Sequence, residues 1–243
     1  MARIVLVHGA FGGAWCWEPV LPGLRAAGHT VEAFDLPGAG EDRTPVEQVT
    51  LSAYADRVCE VLSCGPPAVL AGHSMGGMVI TQAASRATAD VVKLVYVAAF
   101  LPADGQSLLN LTQLPEAAGD QVQANLVVEG DPPVATMPLH ACRDALFGCC
   151  TDEQVAWAIA RRGSQPVVPF TQPFELDPDD AAAFAALPRA YIHCSQDHAI
   201  PPPMQRRMFT AAGCEPVITI DTDHSPWLSR TEELVAALDQ LAR

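Results

Sequence analysis

The sequence predicts a doubly wound α/β fold: a parallel sheet with helices on both faces. Three observations carry this prediction. Short apolar runs recur along the 243 residues, and they are apolar throughout rather than alternating with polar residues. That is the pattern of strands covered on both faces. Longer helical patterns separate the runs, an alternation that favours parallel strands joined by right-handed crossovers. Several runs also close on Gly-containing turns, which places sharp loops at the carboxyl ends of strands.

Six strands are expected. Ile4 to Val7 is rich in β-branched residues and stops at Gly9. Thr30 to Phe34 ends at Asp35-Leu36-Pro37-Gly38, and Ala68 to Ala71 lies between Pro66-Pro67 and Gly72. Val91 to Ala98, Ala190 to Cys194 and Val217 to Ile220 complete the set. Between them, Trp17 to Ala27 carries Val20, Leu21, Leu24 and Ala27 at helical spacing. Leu51 to Leu62 does the same, with Thr50 placed as an N-cap. Met75 to Ala87 follows the third strand directly. Met204 to Ala212 ends at Gly213, and Thr231 to Leu241 starts after Ser229 or Arg230.

The stretch 102–187 breaks the alternation. It holds Leu108-Leu109, Leu126-Val127-Val128, the Pro-rich Asp131-Pro132-Pro133 and a helical run from Asp152 to Arg161. It shows no clear parallel strand and is too irregular for a core of its own. The expected organisation is a single structural domain. Residues 1–101 and 188–243 form its sheet core, and 102–187 form an insertion of helices and loops that caps one end of the sheet.

Composition narrows the function. Apolar residues make up 49% and charged residues 17%, as in a globular chain. With 28 acidic against 14 basic residues the net charge is −14, which repels phosphate backbones and anionic lipid heads. Nucleic acid is therefore not an expected partner. Nor is a membrane, since no window approaches the ~20 apolar residues a spanning helix needs. The apolar run at the N-terminus is too short for a signal-peptide core, so the cytoplasm is the expected location. Eight cysteines form no C-x-x-C pair and no zinc-ribbon spacing. They are expected to be reduced and structural, with Cys149-Cys150 the exception on an exposed stretch. No metal or organic cofactor is implied.

The chemistry centres on Gly72-His73-Ser74-Met75-Gly76, a G-x-S-x-G motif between an apolar strand and a helical pattern. A sharp strand-to-helix turn there lifts the Ser74 hydroxyl to the carboxyl end of the sheet. The helix N-terminus behind it favours developing negative charge. A serine needs a base, and the base needs a carboxylate to orient it. His224, in the loop after the sixth strand, falls at the same sheet edge as Ser74. His8 precedes the serine, His73 is inside the turn, His29 lies at the wrong end, His140 is in the insertion and His193 is within a strand. His198 is the competitor. For the acid, Asp197 follows the fifth strand, and Asp104, past the fourth, is a second candidate. Donors for an oxyanion are expected from the backbone N–H groups of Met75 and, in the loop after the first strand, Ala10. That Gly-rich loop holds no G-x-G-x-x-G and no following Lys, which argues against phosphate binding.

Several segments then occur in order: Val7-His8-Gly9-Ala10-Phe11-Gly12-Gly13-Ala14-Trp15-Cys16-Trp17, Phe34-Asp35-Leu36-Pro37-Gly38, the Ser74 turn, Ala98-Ala99-Phe100-Leu101-Pro102, Gln196-Asp197 and Asp223-His224. Together they resemble the compact α/β-hydrolase family of plant methyl esterases, salicylate-binding proteins and hydroxynitrile lyases, with its bacterial esterase relatives. The resemblance spans nearly the whole chain and is weakest in the insertion. It implies a six-stranded α/β-hydrolase core with a helical cap, and it favours Asp197 over Asp104 in a triad of Ser74, Asp197 and His224. It also implies hydrolysis of small acyl or methyl esters of aromatic or terpenoid acids; a pathway enzyme that closes or demethylates a polyketide-like product is a further reading. A homodimer is plausible on the resemblance alone. The lyases of the family carry Thr after the first-strand His and Lys after the catalytic His, where this chain has Gly9 and Ser225. Both departures point to the esterase branch. A carbon–carbon lyase and a ligand-binding protein with a vestigial triad are the alternatives. Phe100, Trp157 and Trp227 are candidate pocket residues.

Overall fold

The computed structural model describes residues 1–243. Six parallel strands form the central sheet: β1 (Arg3–Val7), β2 (Thr30–Ala33), β3 (Ala68–His73), β4 (Val91–Val97), β5 (Arg189–Cys194) and β6 (Val217–Ile220). Their spatial order is β2-β1-β3-β4-β5-β6. Side chains alternate between the faces of a strand, so each strand feeds two cores. In β1, Val5 and Val7 pack into one core with Tyr54, Val58 and Met204, while Ile4 and Leu6 pack into the other with Leu24, Leu234 and Leu238. Helices Leu51–Ser63, Gly76–Arg86 and Pro202–Ala211 thus cover one face, and Leu21–Ala26 and Thr231–Leu241 the other.

All six expected strands are present, with ends shifted by one or two residues. β3 runs on to His73, delivering the chain directly into the Ser74 turn. β4 stops at Val97, because Ala98 takes a left-handed φ of +41°. Thr50 caps its helix as expected, its hydroxyl accepting the Ala53 N–H at 2.9 Å. The first helix is shorter than its periodicity suggests. Ala14–Trp17 forms a separate 3₁₀ turn and the α-helix starts only at Leu21, with Pro22 in its first turn.

Residues 102–187 lie between β4 and β5. They hold the short helices Leu108–Thr112, Gln121–Asn125, Leu139–Leu146, Asp152–Ile159, Val168–Thr171 and Ala181–Ala186. They also hold a feature not expected from the sequence, a three-stranded antiparallel sheet of Val127–Glu129, Val134–Thr136 and Gln165–Pro166. Strands of two or three residues are too short to show a period. The eight cysteines form no disulfide. The Cys149-Cys150 stretch is not an exposed one: Cys150 is buried and Cys149 half-buried. No helix is long and apolar enough to cross a membrane.

Candidate active site

The loops after β1, β3, β5 and β6 converge on one cavity at the carboxyl edge of the sheet. Its wall is mostly apolar and includes Ala10, Ser74, Met75, Phe100, His224 and Trp227.

Ser74 sits at the turn from β3 into helix Gly76–Arg86 with φ +56°, a left-handed conformation that costs energy in any residue with a Cβ. The turn is held from both sides. The Ser74 carbonyl accepts the N–H groups of Gly77 (3.0 Å) and Phe100 (3.1 Å), and its own N–H donates to the Val97 carbonyl. Gly76 makes the tight turn possible, because a Cβ there would lie 2.7 Å from the His8 carbonyl oxygen and 2.8 Å from that of Val7.

His224 is 3% exposed and its Nδ1 donates to Asp197 Oδ2 at 2.8 Å. Asp197, 1% exposed, is itself tightly held. Its Oδ1 accepts the Ala199 and Ile200 N–H groups at 2.7 and 2.9 Å, and Oδ2 accepts Gln205 Nε2 at 2.9 Å. Gln205 is fully buried and also spans the Cys194 N–H and the Ile200 carbonyl, so helix Pro202–Ala211 fixes the acid loop. With Nδ1 occupied, His224 Nε2 is the free nitrogen. Neither it nor the Ser74 hydroxyl has a protein hydrogen-bond partner, and both residues line the cavity. Burial pushes the His224 pKa down, but the carboxylates of Asp197, Asp223 and Asp120 outweigh it and leave the imidazole above its ordinary 6.5.

Two other histidines brace the site. His8 Nε2 accepts the Leu36 N–H at 3.1 Å, so the proton resides on Nδ1, which donates to the Gly9 carbonyl at 2.8 Å. Burial keeps this ring neutral by lowering its pKa. It thereby anchors the β1 loop, where Phe11 is left-handed (φ +61°). His73 Nε2 donates to the His224 carbonyl at 2.7 Å, tying the serine turn to the His224 loop. The Ala10 and Met75 N–H groups make no hydrogen bond within the protein. His198 does not line the cavity, and its Nδ1 instead meets the Asp144 carbonyl at 3.0 Å. Asp104 also lies outside, where it accepts the Leu176 N–H.

Among the candidate pocket residues, Phe100 and Trp227 line the cavity and Trp157 does not. Trp15 comes between: it packs edge-on against both Trp157 (5.4 Å) and Trp227 (5.6 Å) and itself reaches the wall. Trp157 carries Arg161 over its face instead. Trp15, Asp120 and Arg162 are among the wall residues that sequence reasoning missed. Trp15 stands in the conspicuous Ala14-Trp15-Cys16-Trp17 run, which was a usable signal. The other two lie where no periodicity guides the reading. No group of three His, Cys, Asp or Glu side chains is placed to hold a metal ion.

Known proteins resemble this chain along its length. It is 31% identical to Methylesterase 7 of Arabidopsis thaliana, covering 99% of this chain and 96% of that protein. It is 30% identical to an Alpha-hydroxynitrile lyase of the same plant, again over 99% and 96%. Other methylesterase relatives are longer, and the chain spans 64% and 56% of their length. Among solved structures, polyneuridine aldehyde esterase superposes with a TM-score of 0.88 at 25% identity, covering all of both chains. The model of the family described as "Alpha/beta hydrolase family" matches residues 4–237, and the chain belongs to that family.

Proposed function

We propose that this protein is a carboxylic ester hydrolase that works through an acyl-enzyme on Ser74. One observation carries the reading. A serine in a strained strand-to-helix turn shares a cavity with an imidazole whose second nitrogen is held by a buried, fully hydrogen-bonded carboxylate. The esterase relatives support the same chemistry.

In the first half-reaction the Ser74 oxygen attacks the ester carbonyl carbon, and its proton passes to His224 Nε2. The Ser74–His224 hydrogen bond that this needs forms as substrate seats. The Ala10 and Met75 N–H groups, free of protein partners, hold the oxyanion. The carbon–oxygen bond breaks, and the proton on Nε2 goes to the departing alkoxide, releasing the alcohol. In the second half-reaction water attacks the acyl carbon, its proton moves to Nε2, and the acid leaves as Ser74 regains its proton. Asp197 keeps the ring in the Nδ1–H tautomer and stabilises the imidazolium. Residues 102–187 act as the cap, supplying Leu108, Val122, Leu126, Leu146 and Phe147 to the apolar wall.

The lyase alternative fits less well. A cation beside the histidine would stabilise a departing anion, and that position is Ser225, buried and donating its N–H to Asp223. A Thr in place of Gly9 would also set its Cβ 2.7 Å from that of Ser74 and 3.0 Å from the His73 carbonyl oxygen, so the loop here is built for glycine.

The test is a panel of p-nitrophenyl acyl esters and aromatic methyl esters, run with mandelonitrile and with three variants. Ester turnover is expected to fall about 10³-fold or more in Ser74→Ala and His224→Ala, but not in His198→Ala. Activity retained by Ser74→Ala, or lost only in His198→Ala, overturns the assignment. Faster cleavage of mandelonitrile than of any ester supports the lyase instead.

A further inference from the structure

One carboxylate on the cavity wall takes no step in the chemistry above beyond its field at His224. Asp120 is contributed by residues 102–187 and is 8% exposed. Its Oδ1 caps helix Gln121–Asn125, accepting the N–H groups of Val122 (2.8 Å) and Gln123 (2.9 Å). Its Oδ2 has no hydrogen-bond partner and no basic residue forms an ion pair with it, yet the residue lines the cavity with Ser74 and His224. An ordinary N-cap on a surface helix leaves its second oxygen to bulk water. Here the residue is withdrawn from bulk solvent and shares the cavity wall with Leu108, Val122, Leu126 and Phe170.

The placement is rigid. The Asp120 N–H donates to the Ala117 carbonyl, and the next N–H, of Gln121, donates to the His198 carbonyl at 2.8 Å. The cap of this short helix is thus fastened to the loop that carries Asp197. Burial raises the Asp120 pKa to about 6, outweighing the Gln123 and Val122 N–H groups and the nearby His224, which lower it. Arg162 lines the same cavity but does not offset it: its guanidinium stacks 4.8 Å from the Phe11 ring and bonds the Met137 carbonyl and the Cys142 sulfur. A buried polar oxygen in an apolar wall is costly when unpaired and selective when a ligand pairs it.

We infer that Asp120 is a substrate-selecting residue whose free oxygen accepts a hydrogen bond from an O–H or N–H group carried by the ester, close to the scissile carbonyl. The inference rests on the esterase reading for where the carbonyl sits. Sites built to pair a substrate hydroxyl or amine discriminate strongly against analogues that lack it.

The test uses three aromatic methyl esters of one shape, bearing a hydroxymethyl, an aminomethyl or a methoxymethyl group. The quantity read is the ratio of kcat/KM between members. Wild type is expected to favour a donor-bearing ester over the methoxy ester by about tenfold or more. Which donor ester leads, hydroxyl or ammonium, identifies the natural donor class. Asp120→Asn keeps a cap oxygen for the Val122 and Gln123 N–H groups but turns an amide N–H₂ into the cavity. It is expected to abolish the preference or reverse it towards the methoxy ester. A role confined to capping predicts the same ratio in both proteins, and an unchanged ratio overturns the inference, as does a wild type with no preference. Calorimetric binding of the three esters to Ser74→Ala reads the selection without turnover. Donor-selective binding by a protein whose wild type cleaves no ester would keep the role of Asp120 and overturn the hydrolase.

Discussion

His224 balances opposing effects within one ring. Burial favours its neutral form, while three carboxylates favour the charged one and prevail. In the proposed mechanism the ring must be neutral to take the serine proton, so kcat/KM should rise with pH through a limb lying above 6.5. Asp120→Asn removes one of the anions and should move that limb to lower pH, measured on an ester without a donor group. A limb that stays in place would show that Asp120 exerts no field at the ring. Stability responds to the same substitution with a calculable sign. A carboxyl raised from 3.8 to about 6 in the folded state binds its proton more tightly there than when unfolded. Its cost is absent below 3.8 and grows as pH rises through 6. Asp120→Asn should therefore stabilise the protein at pH 8, by at most about 3 kcal/mol, and not at pH 4, as read by urea denaturation. Ser74, Asp197 and His224 stand out in the sequence as candidates because each follows a recognisable strand. Asp120 does not, since it precedes a five-residue helix that shows no period.

At the scale of elements, the β3 turn is defined by how closely backbones approach. Helix Gly76–Arg86 starts against the end of β1, and Gly76 is the point of contact. Gly76→Ala would push the helix and the β1 loop apart. It should cost about 1–3 kcal/mol in urea denaturation, and activity should fall further than stability because the Ser74 turn and the Ala10 loop shift together. Full activity in a folded Gly76→Ala protein would show that the turn tolerates this displacement. The parallel strands were legible because continuous apolar runs of four to eight residues have few alternative readings between turn signals. The strands of residues 102–187 were not, because a pair such as Val134–Thr136 and Gln165–Pro166 is specified by a partner some thirty positions away rather than by its own sequence. Trp157 was misplaced for a related reason. Helix Asp152–Ile159 was expected, but which of its faces meets the cavity depends on Trp15, which stands in between.

Over the whole molecule, the sheet core and residues 102–187 share both apolar clusters, and one group of polar ties between them runs through Asp223. This carboxylate is 3% exposed. Its Oδ1 accepts the Ser225 N–H and the Ser229 hydroxyl at 3.0 and 2.8 Å, shaping the loop that carries His224. Its Oδ2 accepts the Cys149 N–H at 2.7 Å and faces the Cys150 sulfur at 3.6 Å. Burial, with Asp223 beside it, pushes the Cys150 thiol well up, so it stays protonated and can donate. One side chain therefore fastens the segment after Leu146 and Phe147, two cavity-wall residues, to the loop of His224. Asp223→Ala leaves several buried donors unpaired and should cost about 2–4 kcal/mol in urea denaturation. It should also raise KM more than it lowers kcat, because the wall loosens while the His224–Asp197 pair keeps its own anchors. Asp223→Asn should rescue little. Its oxygen can replace Oδ1, but its N–H₂ then points at the Cys149 N–H, donor against donor. Limited proteolysis distinguishes this account from simple destabilisation. Cleavage near residues 147–150 should appear in both variants at temperatures where the sheet core stays folded, and protection equal to wild type there would show that the two parts are held together elsewhere.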